Sequence, residues 1–222
     1  MKFLTTKKPF FKKLATFLFA LYLCGTGIAF ATRAQLGTTA ISSLPFVFTF
    51  FTPLSFGTMT FLINMLFLIG QYLILKKEFT KDRLYQIPIT LCFGFFIDLG
   101  MAVSSRFAFH SYIDRLIMLV IGSAIMAVGI CLELKSRIAY IPGDGFVEAV
   151  FQKTKYSFGS LKMAFDISLC VSACLLSLIV LRSVQGIREG TVISAVLVGF
   201  FVNVLNRIFQ KFSSVQEKRL SS

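Results

Sequence analysis

Six apolar runs of about 20 residues recur along this 222-residue chain and constrain its fold more than any other feature. They lie near 13–32, 54–75, 86–105, 113–133, 160–181 and 190–209. Each matches the length needed to cross a hydrocarbon core roughly 30 Å thick. Inside that core every backbone N–H and C=O needs a partner from its own segment, so the runs are expected to be helices. The chain is 56% hydrophobic and only 15% charged, which leaves no room for a soluble domain of useful size. The expected fold class is all-α, a polytopic membrane protein of roughly six transmembrane helices forming one membrane domain over 1–222.

A net charge of +13 invites a nucleic-acid reading, but the placement of the charge argues against it. With six crossings and the N-terminus inside, only Arg33, Arg106, Arg115, Arg182 and Arg188 of the 23 basic residues fall in outer segments. Every lysine, from Lys2 and Lys7 to Lys211 and Lys218, falls inside. The positive-inside rule then puts both termini in the cytoplasm of a multi-pass protein of the cell inner (plasma) membrane. The basic excess faces anionic lipid headgroups of the bilayer, and no nucleic-acid partner is expected. A signal peptide ending near Ala29-Phe30-Ala31 is not expected, because the first apolar run is long for one.

The chain also looks like one design written twice. Ser55-Phe56-Gly57 opens one apolar run and Ser157-Phe158-Gly159 another, 102 residues on. Seven residues after each glycine stands a lone polar residue, Asn64 and then Asp166. Gly94-Phe95-Phe96-Ile97-Asp98 is echoed by Gly199-Phe200-Phe201-Val202-Asn203, and Gly27-Ile28-Ala29 by Gly129-Ile130-Cys131. Three crossings per copy is an odd number, so the second copy (112–210) should be upside-down relative to the first (10–106), giving two inverted 3+3 repeats. Residues 211–222 read as a polar, frayed cytoplasmic tail.

Two connections are unusual. Gly37-Thr38-Thr39 precedes a short apolar run over 40–51 containing Pro45. Pro142-Gly143-Asp144-Gly145 precedes another over 146–152. Both runs are too short to span, so they read as re-entrant or interfacial half-helices, with Thr38, Thr39 or Asp144 as candidate N-caps. Entering from opposite sides, they would aim their positive ends at the membrane centre.

Asp98 and Asp166 read as the carboxylates well inside spans. A buried carboxylate persists when it pairs, binds a cation or carries a proton. Together with Asn64 and Asn203 they form a candidate substrate or ion site, holding Na⁺ or exchanging H⁺, with Gly37, Thr38, Thr39, Gly143, Asp144 and Gly145 as substrate contacts. The bland alternative for each is interhelical hydrogen bonding. Arg188 and Glu189 read as an outer gate pair, or as ordinary charges at a helix start.

The five cysteines, Cys24, Cys92, Cys131, Cys170 and Cys174, all fall in spans without metal-ligand spacing. The single histidine, His110, falls in an outer loop. They read as structural thiols, and no metal site or cofactor is expected. No Walker A, G-x-S-x-G or C-x-x-C motif offers enzymatic chemistry a carrier.

Gly186-Ile187-Arg188-Glu189-Gly190-Thr191, followed by Val192 to Gly199, resembles the corresponding segment of the YczE/YitT-type bacterial membrane proteins. The Gly37-Thr38 step and the segment Pro142 to Gly145 are similar as well. The resemblance covers most of the chain. It implies a multi-pass bacterial inner-membrane protein and no particular substrate.

The reading from sequence is a small-solute transporter, secondary active and coupled to H⁺ or Na⁺, with its substrate between the repeats. Its small size points toward a homodimer, which nothing in the sequence requires. Two other readings stay open: a substrate-binding membrane subunit of a larger transporter, and a non-transporting scaffold or accessory protein.

Overall fold

The structure is a computed structural model. It describes the backbone of residues 7–107, 111–136 and 138–220, and the side chains over 11–107, 111–136 and 138–208. His110 and Lys2 lie outside the described residues. Eight helices follow in chain order: α1 (Lys7–Arg33), α2 (Ala40–Phe48), α3 (Phe56–Leu75), α4 (Gln86–Ser104), α5 (Tyr112–Ser136), α6 (Pro142–Lys153), α7 (Phe158–Leu181) and α8 (Glu189–Leu220). Two 3₁₀ turns, Lys76–Glu78 and Lys81–Tyr85, join α3 to α4. Six helices are long and apolar enough to cross a membrane, within a few residues of the expected spans, and the chain is a multi-pass membrane protein by that measure. No strand occurs among the described residues.

The centre is α1 laid against α5. Small residues let the two backbones touch, as close helix packing in lipid requires. A Cβ on Gly27 would stand 2.6 Å from the Met126 nitrogen and 2.7 Å from the Gly122 oxygen. A Cβ on Gly129 would stand 2.8 Å from the Cys24 nitrogen and 2.9 Å from the Ala20 oxygen. Ala20 and Cys24 each lie 102 residues before Gly122 and Met126, so one contact is the other with its partners exchanged. The buried core at this seam includes Phe17, Leu21, Ile28, Phe93 and Ile97. Ala29 and Ala31 are buried as well, Ala31 in a second cluster with Leu36 and Leu119.

The neighbour relations carry the same exchange. α4 packs on α1 and α8 on α5; α6 packs on α3 and α2 on α7; α2 touches α3 as α6 touches α7. The largest departure from the pattern is that α3 and α4 pack along each other, whereas α7 and α8 do not.

Two segments differ from expectation. Pro142-Gly143-Asp144-Gly145 is the first turn of α6 rather than a connection before it. Proline at the first helical position carries a pre-set φ and lacks an N–H that would be orphaned anyway. At the other end, α8 runs on to Leu220, so the backbone is helical through the polar segment expected to fray.

A buried polar knot fastens α6 to the α3–α4 turn. Gln71 is fully buried. It donates to Gln86 Oε1 at 2.9 Å and to the Pro142 carbonyl at 3.0 Å, and accepts from Arg83 Nη1 at 2.8 Å. Arg83 also pairs with Glu148 at 2.9 Å. Gln71→Leu keeps the volume but orphans these partners, so it is expected to cost about 1.5 kcal/mol. A thermal melt in detergent should fall by roughly 3–6 °C.

Candidate functional site

A cavity of about 800 Å³ opens between the two halves. Apolar side chains such as Ile28, Phe93, Met126 and Ile130 form much of its wall. Its polar lining comes from both halves: Thr39, Ser42 and Asn64 from the first, Glu133, Asp144, Lys162 and Asp166 from the second.

The charged centre is an ion bridge. Lys162 Nζ stands 2.8 Å from Asp144 Oδ1 and 3.0 Å from Asp166 Oδ1. Asp144 sits in the first turn of α6, while Lys162 and Asp166 share one face of α7 four residues apart. The α7 start is set by Ser157, whose Oγ accepts from the Ser160 N–H at 3.2 Å, and this fixes the register that aims both side chains at α6. Lys162 also lies 5.7 Å from the centre of the Phe165 ring, within cation–π reach. Glu133, on α5, lines the same cavity, and its carboxylate makes no hydrogen bond or ion pair among the described residues. Two carboxylates thus share one ammonium, with the Glu133 carboxyl on the same cavity.

Asn64 is buried on α3. Its Nδ2 donates to the Thr60 carbonyl at 2.8 Å, and its Oδ1 accepts from the Gly143 N–H at 3.2 Å. It therefore caps the start of α6, whose N-cap position, Ile141, has no capping side chain. Asp144 is no cap, because its carboxylate goes to Lys162. Thr39 precedes α2 without capping it, and its buried hydroxyl has no hydrogen-bond partner among the described residues.

The remaining predicted residues lie elsewhere. The four polar groups Asn64, Asp98, Asp166 and Asn203 do not converge; only Asn64 and Asp166 line the cavity. Asp98 instead ties α4 to the start of α3: Ser55 Oγ donates to its Oδ2 at 2.6 Å and the Gly57 N–H to its Oδ1 at 2.7 Å. A charge-assisted cap holds that carboxylate. Asn203 is exposed on α8 and makes no side-chain hydrogen bond among the described residues.

Gly37 and Thr38 anchor the α1–α2 connection to α8. Gly37 has φ +122° and packs on Thr191. The Thr38 N–H donates to Thr191 Oγ1 at 3.2 Å, the Gly190 N–H to the Leu36 carbonyl at 2.7 Å, and the Thr32 and Thr38 hydroxyls share a bond of 2.6 Å. Gly143 and Gly145 serve close packing, since a Cβ would stand 2.9 Å from Ile41 Cδ1 and 2.8 Å from Gln71 Nε2 respectively. Arg188 and Glu189 pair loosely at 3.5 Å, half-exposed. Arg188 Nη1 also reaches the Gln35 carbonyl at 3.4 Å, away from the cavity. All five cysteines are free; Cys24 and Cys131 are buried and the other three half-buried.

Sequence reading missed Lys162 and Glu133. Lys162 reads as one more basic residue at a membrane edge, although its i, i+4 spacing to Asp166 within an apolar helix was the available signal. Glu133 sits two residues before Lys135 at the end of a span and reads as interfacial.

No curated protein and no solved structure matches the chain. A family model matches residues 11–207, nearly its whole length, and the chain belongs to that family, a family of unknown function (DUF6198).

Proposed function

We propose that the protein is a secondary-active transporter of a small solute, coupled to H⁺ or Na⁺, which binds in the central cavity between two inverted repeats. The observation that carries this reading is the Asp144–Lys162–Asp166 bridge on that cavity, inside a chain of six membrane-length helices. Ionisable groups within apolar spans are expensive, and solute or proton pathways are where they persist. The exchange of partners between Gly27 and Gly129 supports a duplicated origin, and the odd number of spans per copy supports inversion. In this reading α2 and α6 are half-helices whose starts face the solute. The lysine distribution supports cytoplasmic termini in the plasma membrane. Kinship with the YczE/YitT-type proteins belongs to the same proposal and rests on the short motifs quoted above.

Two aspartates sharing one lysine leave a negative charge over, which favours a solute or coupling ion with positive charge. The test is thermal unfolding of the detergent-purified protein against small amines, amino acids and sugars, with and without Na⁺, in wild type and Asp166→Asn. A solute at about 100 times its Kd stabilises the form it binds by about 2.7 kcal/mol. The expected result is a rise of several degrees in wild type that is lost in Asp166→Asn. No response to any solute or to Na⁺, with both proteins equally stable, would favour a scaffold.

A further inference from the structure

We infer that the protein has a second conformation in which α7 and α8 close on each other as α3 and α4 do here, with Asn203 capping Gly159 as Asp98 caps Gly57. The inference rests on the transporter reading and supplies its moving part.

The closed pair is built from four residues. Gly57 and Gly94 bring the α3 and α4 backbones together: a Cβ on Gly94 would stand 2.6 Å from the Gly57 oxygen, and one on Gly57 would fall 2.6 Å from the Gly94 carbonyl carbon. Asp98, one turn after Gly94, then binds Ser55 and the Gly57 N–H. The same four positions recur on α7 and α8 as Ser157, Gly159, Gly199 and Asn203. Even the local cap is repeated: Ser55 and Thr58 hydroxyls lie 2.8 Å apart, as do those of Ser157 and Ser160.

The second set is assembled but unengaged. Among the described residues, no atom of another helix lies within 4 Å of where a Cβ on Gly159 or on Gly199 would stand. Among the described residues, the Asn203 side chain has no bonding partner, and the Ser157 side chain is bonded only to its own helix. Small residues in a lipid-embedded helix are needed where another backbone comes close, and here none does. Phe158 and Gly199 line the cavity, so the space between the two helices is its mouth. Closing that gap would narrow the cavity at the end where α7 begins.

The chemistry of the caps makes the two closures unequal. Asp98 accepts two hydrogen bonds with a full charge. Asn203 would accept from the Gly159 N–H through its carbonyl oxygen and donate to Ser157 through its amide. Hydrogen bonds to an ionised acceptor are roughly twice as strong as neutral ones. The α7–α8 gate is therefore the one that stands open at rest.

The test is oxidative cross-linking of Ser157→Cys/Asn203→Cys in the full chain, in membranes, with the disulfide located by peptide mass. Both positions are exposed, so the variant should fold. Ser55→Cys/Asp98→Cys marks a pair already in contact. The expected result is an intramolecular 157–203 disulfide that forms more slowly than the 55–98 one. Adding Gly159→Leu should reduce it at least tenfold while leaving the melting temperature unchanged. Absence of the 157–203 disulfide while 55–98 forms would overturn the closure, as would a disulfide that forms only between two chains, which would make the gap a dimer seam. A solute response in the thermal assay without any 157–203 disulfide would keep the binding cavity and still refute the gate.

Discussion

Gly27→Leu is expected to prevent most of the chain from reaching a stable fold, whereas Gly159→Leu, with the same change in volume, leaves stability untouched. The contrast is geometric. At Gly27 the new side chain would start 2.6 Å from a backbone nitrogen and 2.7 Å from a backbone oxygen of α5. Neither can step aside without moving the helix. At Gly159 nothing stands within 4 Å. Overpacking a flexible core costs 1–3 kcal/mol and more where the neighbour is rigid, so about 3–4 kcal/mol is expected for Gly27→Leu. Against a total stability of about 5–15 kcal/mol, that is a large fraction. Size-exclusion profiles and thermal melts of the two variants check the pair. Equal behaviour would mean that the α1–α5 contact is not the seam of the fold.

Lys162→Met should produce the next largest loss. The methionine retains an apolar stem but leaves Asp144 and Asp166 side by side without their shared cation. Removing one partner of a buried ion pair costs 3–5 kcal/mol. The side chains here are 29–36% exposed, and water screening lowers the expectation to about 2–3 kcal/mol. Adding Asp144→Asn and Asp166→Asn should return most of it, because a neutral set of the same shape no longer strands a charge. Melting temperatures of the single and triple variants decide the matter. A triple variant as unstable as the single one would show that Lys162 acts through packing rather than charge.

The six spans were legible because a 20-residue apolar run admits few folds, and their ends fell within a few residues of where they are seen. The recurring spacing was legible at Ser55/Ser157 and Gly57/Gly159 because these residue types recur at a fixed offset. Sequence could not show that equivalent residues do different work. Asn64 and Asp166 occupy matched positions, yet Asn64 caps α6 while Asp166 is held by Lys162. The lysine four residues earlier makes that difference, and its counterpart in the first half is Thr60. Asp98 looked like a coupling residue because it is an acid within a span. Only the crossing of α4 over the start of α3 reveals the N–H and hydroxyl that satisfy it. The α6 start was misplaced because Pro-Gly-Asp-Gly carries turn composition, whereas tertiary contacts from Asn64 and Gln71 complete it as a helical turn.

The packing of α2 on α7 and of α6 on α3 also bears on biogenesis. Each short helix rests on a long helix from the other half, so the first half is unfinished when it leaves the ribosome, whereas α6 emerges after its partner α3. Residues of α2 emerge more than 100 positions ahead of their α7 partner, and synthesis at about 5–20 residues per second makes that wait on the order of ten seconds. Through this interval the polar side of α2, with Ser42 and Ser43, lacks the surface that buries it. A chaperone or the insertion machinery has its opportunity there, and a chain truncated after the third span should be recognised as incomplete even with its own spans inserted.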